Sequence, residues 1–209
     1  MRNAHLTGLT FAYCLLPSLL PTTAMSFLSE IKEFISSWND PFVSIDLTDF
    51  DLFRTSPEGN INSEGTSACS DSPTVPKYYR YFKKAIEPGV RELTIAFILK
   101  LNCITYSSCQ GHYSTPDAVM RQRYVAVLPQ NAEDYQRLLN ILTEIAEQTN
   151  SHFYSNPVKV AIAEDKVKSE DCEMPGLVFS FVSVLSEEHI YFRELEPVYN
   201  YVLGLVNNY

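Results

Sequence analysis

The residues in this chain with the most chemistry per position are Thr105-Tyr106-Ser107-Ser108-Cys109-Gln110-Gly111-His112. A cysteine three positions before a histidine can have its thiolate stabilised and act as a nucleophile, with the imidazole as base. Gly111 permits a positive φ or a close backbone approach to a ligand, and the hydroxyls of Ser107 and Ser108 add donors. Three chemistries fit. Cys109 and His112 form a nucleophile and base for which the sequence identifies no orienting third group. At C-x2-H spacing they are half of a zinc site, but Cys103, Cys172, His152 and His189 supply no second close pair, so the sequence assigns no metal. As a cradle, Ser107, Ser108 and Gly111 line a small or nucleotide-like ligand, while Arg121 and Arg123 downstream supply positive charge. Against all three stands a turn in which Cys109 is a small buried hydrophobe and Gly111 and His112 serve packing alone.

The segments around this octapeptide fix where it sits. Glu87-Pro88 opens a helix to about Leu101, with Pro at a position where its missing N–H costs nothing. Apolar residues occur on more than one face of that helix, which predicts burial. A strand from Cys103 to Ser107 follows and runs out into the turn formed by residues 109–112, a common place for functional residues. A helical turn near Pro116 and a strand over 123–128 come next. Asn131 caps a helix with the stripe Tyr135, Leu138, Leu139, Leu142 and Ile145.

Val158, Val160 and Ile162 alternate with Lys159, Ala161 and Ala163, and residues 177–184 are β-rich on both parities. This predicts an antiparallel pair joined by a charged turn over 164–176, with the second strand central. A last helix starts near Ser186, with Pro197 expected to kink or restart it. Before all of these, residues 27–38 predict a first helix N-capped by Ser26 and ended by Asp40 and Pro41. The expected fold is α+β or mixed α/β: a four-stranded, mainly antiparallel sheet packed by four to five helices, in the order ααββαββα.

Residues 90–112, VRELTIAFILKLNCITYSSCQGH, resemble the wybutosine-synthesis tRNA methyltransferase family, in which a buried helix ending in Asn precedes a strand ending in T-x-S-S-C-x-G-R. Thr105, Ser107, Ser108, Cys109 and Gly111 match that signature, and His112 stands where the family has arginine. Ser56-Pro57-Glu58-Gly59 is similar to the family's Ser-x-x-Gly motif, farther upstream and without its lysine. The resemblance implies an α/β fold, S-adenosylmethionine as cofactor, a modified guanosine of tRNA as acceptor, and a methyltransferase site at residues 107–112. The Cys-x-Gly-His ending is also similar to that of small bacterial and phage proteins of unassigned activity, so a non-catalytic interaction or regulatory protein is the alternative.

Charge narrows the partners. The 209 residues carry 16 basic and 25 acidic side chains for a net charge of -9, and 45% are hydrophobic. Such a chain is expected to fold as one domain and is a poor general binder of nucleic acid, which needs clustered Lys and Arg. Residues 77–84, KYYRYFKK, are the basic exception. On a helix Lys77, Arg80 and Lys84 share a face that could meet phosphate or RNA.

Residues 1–24 read either as a signal-like segment, which would mean secretion, or as a leader before a start at Met25. Without them a single domain over 25–209 keeps four cysteines whose spacings match no disulfide scaffold, which favours the cytoplasm. No apolar run is long enough to span a membrane. Residues 54–76, with five serines, three prolines and two glycines, read as a mobile loop.

Overall fold

A computed structural model describes residues 31–43, 76–80, 82–116, 119–169 and 172–209, together with the backbone at 55–56 and 59–60. The expected 1–24 leader, the Ser26 cap, most of the 54–76 loop and the Ser-x-x-Gly side chains lie outside these residues. Five helices are described, α1 (Ile31–Ser37), α2 (Phe82–Ala85), α3 (Pro88–Lys100), α4 (Ala132–His152) and α5 (Glu188–Asn207). Strands β1 (Thr55–Ser56) and β2 (Gly59–Asn60) form a small pair, while β3 (Ile104–Cys109), β4 (Tyr124–Leu128), β5 (Val158–Lys168) and β6 (Glu173–Ser183) form one antiparallel sheet in the order β3-β4-β6-β5. The expected α+β class is therefore observed, and β6 is central.

The sheet has two buried faces because its strands alternate. Val125, Val127, Leu177, Phe179, Phe181, Val158 and Val160 point toward α3, α4 and α5 and form the main core with Val90, Leu93, Phe97, Leu138, Leu142 and Val202. The opposite face carries Ile104, Ala126, Leu128 and Val167, covered by Ile31 and Phe34 of α1 and by Trp38 just after it. The α4 stripe is at helical spacing, and Asn131 accepts from Asp134 N at 2.9 Å to satisfy an orphan donor of its first turn. No described helix is long and apolar enough to cross a membrane.

Four expectations need correction. The β5–β6 hairpin is longer than its charge pattern implied, because Glu164, Asp165, Lys166 and Lys168 lie inside β5 and not in a turn. Paired strands tolerate them where Lys168 meets Glu173 at 3.3 Å across the ladder and Asp165 accepts from Tyr106 Oη at 2.6 Å. KYYRYFKK is not one helix: residues 77–80 are turns and only α2 is helical, so Lys77, Arg80 and Lys84 do not share a helical face. Tertiary contacts override the local pattern there, since Tyr79 is buried and the Lys77 ammonium lies 6.0 Å from the Trp38 ring centroid. Leu99 of α3 is exposed, and α5 runs through Pro197 as a single helix.

One buried hydroxyl ties α5 to the sheet. Tyr191 Oη accepts from Arg123 N at 2.8 Å and donates to Phe181 O at 2.9 Å, just before β4 and within β6. Replacing it with Phe keeps the ring but leaves two buried backbone groups unsatisfied. Tyr191→Phe should lower the unfolding free energy in urea by about 2 kcal/mol.

Candidate functional site

The strand β3 ends at Cys109, and its alternation splits the serines. Ser107 and Cys109 stand opposite Ala126 and Tyr124, whereas Ser108 stands opposite Val125 and so faces the other side of the sheet. Ser107 Oγ and Tyr124 Oη share a hydrogen bond of 2.9 Å. Beyond Cys109 the chain turns at Gly111, whose φ of 88° is in the left-handed region. His112 then pairs with Arg121 through two backbone hydrogen bonds of 2.9 Å each.

The start of α3 lies against this turn, and the two segments cap one another. Glu87 Oε2 accepts from Gln110 N at 2.7 Å, and Gln110 Oε1 accepts from Gly89 N at 2.9 Å. Each chain end thus satisfies a donor that the other leaves open. Glu87 Oε1 lies 3.0 Å from His112 Nε2. That contact lacks hydrogen-bond geometry, so the buried Nε2 has no hydrogen-bond partner among the described residues. One donor atom from each of Glu87, Cys109 and His112 falls within 4.8 Å of the others.

Arg123 closes the other side. Its Nε donates to Gln110 O at 2.9 Å, its Nη2 meets Glu196 of α5 at 2.7 Å, and its guanidinium lies 4.6 Å from the Tyr199 ring centroid. Its buried Nη1 has no hydrogen-bond partner among the described residues. A Cβ built on Gly111 would stand 3.2 Å from the Phe192 ring and 3.3 Å from Arg123 N, so the space beside this glycine is filled by the protein itself.

Burial decides the state of the thiol. Cys109 is 5% exposed, and desolvation, reinforced by the Glu87 carboxylate, pushes its pKa up to about 12. Gly111 N donates to its sulfur at 3.4 Å, which pulls weakly the other way. The thiol therefore stays protonated at neutral pH, the opposite of an activated nucleophile.

Of the residues singled out by sequence, the fold brings together Cys109, Gly111, His112, Arg121 and Arg123. Lys77 lies beside Trp38, just after α1, and Arg80 and Lys84 are exposed. None of the cysteines and histidines considered as the other half of a zinc site joins Cys109 and His112. Cys103 Sγ donates to Phe97 O, Cys172 lies at the β5–β6 turn beside Ser169, His152 stacks on Tyr201, and His189 is exposed at the start of α5. The missed residues are Glu87 and Gln110. An acid at the N-cap of a Pro-initiated helix with no side-chain cap of its own was the available sign for Glu87. The chain matches no family model, and no curated protein and no solved structure is significantly similar to it.

Two outcomes follow. Gly111→Ala forces a β-carbon into a filled, positive-φ position and should cost more than about 1 kcal/mol in denaturant unfolding. Cys103 is likewise raised to about 12 by burial. Unfolded thiols ionise near pH 8.5 while these two keep their protons when folded, so the unfolded state binds fewer protons above that pH. The unfolding free energy should therefore fall as pH rises from about 8 to about 10, and less steeply in Cys109→Ser.

Proposed function

We propose that this chain is a small-ligand-binding α+β protein whose functional centre is the junction of Glu87, Cys109, His112 and Arg123, and that it works by binding and not by thiolate attack. The observation that carries this reading is the convergence of four ionisable side chains at 5–8% exposure inside an apolar protein. Removing the Glu87 and Arg123 charges from water costs several kcal/mol each even after relaxation, and well-packed apolar residues would commonly hold such a junction as well or better. Desolvated ionisable groups with specific charged neighbours are a recognised signature of candidate functional sites.

A second reading has an observation in its favour. The Arg123 guanidinium bonds the Gln110 carbonyl, so a permanent cation stands at the turn although His112 occupies the arginine position of the methyltransferase-like signature. In that reading an S-adenosylmethionine-like or nucleotide-like ligand meets Arg121 and one of the half-buried serines, Ser107 or Ser108, which face opposite sides of the sheet, and any RNA contact falls to Lys77, Arg80 and Lys84. The filled space beside Gly111 favours an ion or a small group over an adenosyl-sized ligand at Cys109 and His112 themselves.

A thermal-shift screen of the full chain with S-adenosylmethionine, nucleotides and divalent metals tests the proposal. A ligand at about a hundred times its Kd stabilises the folded state by about 2.7 kcal/mol, so at least one class should raise the melting temperature, and the rise should shrink in His112→Ala. No response from any class would instead favour a non-catalytic interaction or regulatory protein with a structural turn.

A further inference from the structure

We infer that Glu87, Cys109 and His112 bind one divalent transition-metal ion, with zinc as the first candidate, through a carboxylate oxygen, a thiolate sulfur and an imidazole nitrogen. The inference rests on the junction's being the functional centre and names its ligand.

The donor set is the first support. The three atoms lie within 4.8 Å of one another, and His112 Nε2 is 3.0 Å from Glu87 Oε1. Zinc bonds of about 2.0–2.3 Å place tetrahedral ligands roughly 3.3–3.8 Å apart. The carboxylate and imidazole would open by a few tenths of an ångström and the sulfur would close by about 1.5 Å at most. Sulfur and imidazole nitrogen select zinc and its neighbours over magnesium or calcium, which take oxygen.

The second support is independent of residue type. His112 Nε2 is buried, faces a carboxylate oxygen, and makes no hydrogen bond to it. If the nitrogen carries a proton, that proton is wasted in a place where unmade hydrogen bonds are expensive. If it does not, two acceptors face each other. A cation bonded to both atoms removes either penalty.

Charge and surroundings agree. On binding, the Cys109 S–H bond breaks and the proton leaves to solvent, so the thiolate and the Glu87 carboxylate neutralise a dication, and a neutral cluster is what a site this dry accepts. The partners that hold metal ligands in place are already present. Gln110 N donates to the second Glu87 oxygen, Gly111 N donates to the Cys109 sulfur, and two backbone hydrogen bonds to Arg121 fix His112. No fourth His, Cys, Asp or Glu joins the group among the described residues. Three protein donors leave one position for water or an exogenous ligand, the pattern of an open site.

The test uses the full chain, freed of metal by a chelator and then titrated with zinc and, in parallel, with cobalt(II). The expected result is one equivalent of zinc bound and a cobalt spectrum with a thiolate-to-metal charge-transfer band and the intense visible bands of tetrahedral coordination. Cys109→Ser should abolish the charge-transfer band, and Cys109→Ser and His112→Gln should each weaken zinc binding by at least about tenfold, the loss seen when even a supporting residue of a metal site is removed. Cys172→Ser, at the β5–β6 turn, should bind as the wild type does. A wild-type chain that takes up no stoichiometric zinc, or a cobalt band that survives Cys109→Ser, overturns the assignment. The wild-type spectrum needs no variant to fold. If zinc fails while a nucleotide or S-adenosylmethionine still raises the melting temperature, the metal falls and the functional centre stands; if every class fails, both fall.

Discussion

The Glu87 carboxylate holds two segments of chain at once. One oxygen accepts the Gln110 backbone N–H and the other faces His112, while the Gln110 side chain returns to cap Gly89 at the start of α3. The arrangement has the logic of a capping box but spans 23 residues, so it joins a helix start to a strand exit. Arg123 extends it to α5 through Glu196, and Tyr191 extends it to β6 through Phe181. Apolar packing of α3 and α5 on the sheet is nondirectional and would tolerate small slides of one element over another. The polar junction would not, because each displaced bond leaves a buried donor or acceptor open. Its net contribution to stability is small, since buried ionic groups contribute little free energy once desolvation is counted.

That constraint also sets the chemistry available. The space that keeps Cys109 protonated also orders every group around its sulfur. Only a partner that displaces the thiol proton, or that arrives with compensating charge, can change the state of the site. A cation does both, and it would bind between the donors at the point where α3 and β3 meet. Binding and the mechanical integrity of the junction are then one property of the molecule.

Much of the fold was legible in the sequence because it follows from periodicity. Leu138, Leu142 and Ile145 lie at helical spacing, Val158 and Val160 alternate, and the apolar run of β6 marks a strand covered on both faces. What could not be read depended on contacts distant in sequence. The charges of β5 resemble a turn until Glu173 is known to lie across from Lys168. The basic KYYRYFKK segment suggests a solvated helix until Tyr79 is found buried and Lys77 beside Trp38. At the site, Cys109, Gly111 and His112 stand out because they are adjacent in sequence, and the bulge between Thr105 and Ser107 and the alternation that parts Ser107 from Ser108 do not. Glu87 had no local reason to be joined with a histidine 25 positions on, and it is the residue that turns a Cys-His pair into a three-donor cluster.

The most direct measurement is an anomalous difference map from crystals of the zinc-treated protein, with data collected above and below the zinc absorption edge. The account predicts one edge-dependent peak within bonding distance of Glu87, Cys109 and His112, about 2.0–2.3 Å from the three donor atoms. A map with no peak there, in which His112 Nε2 and Glu87 meet in an ordinary hydrogen bond, would contradict it.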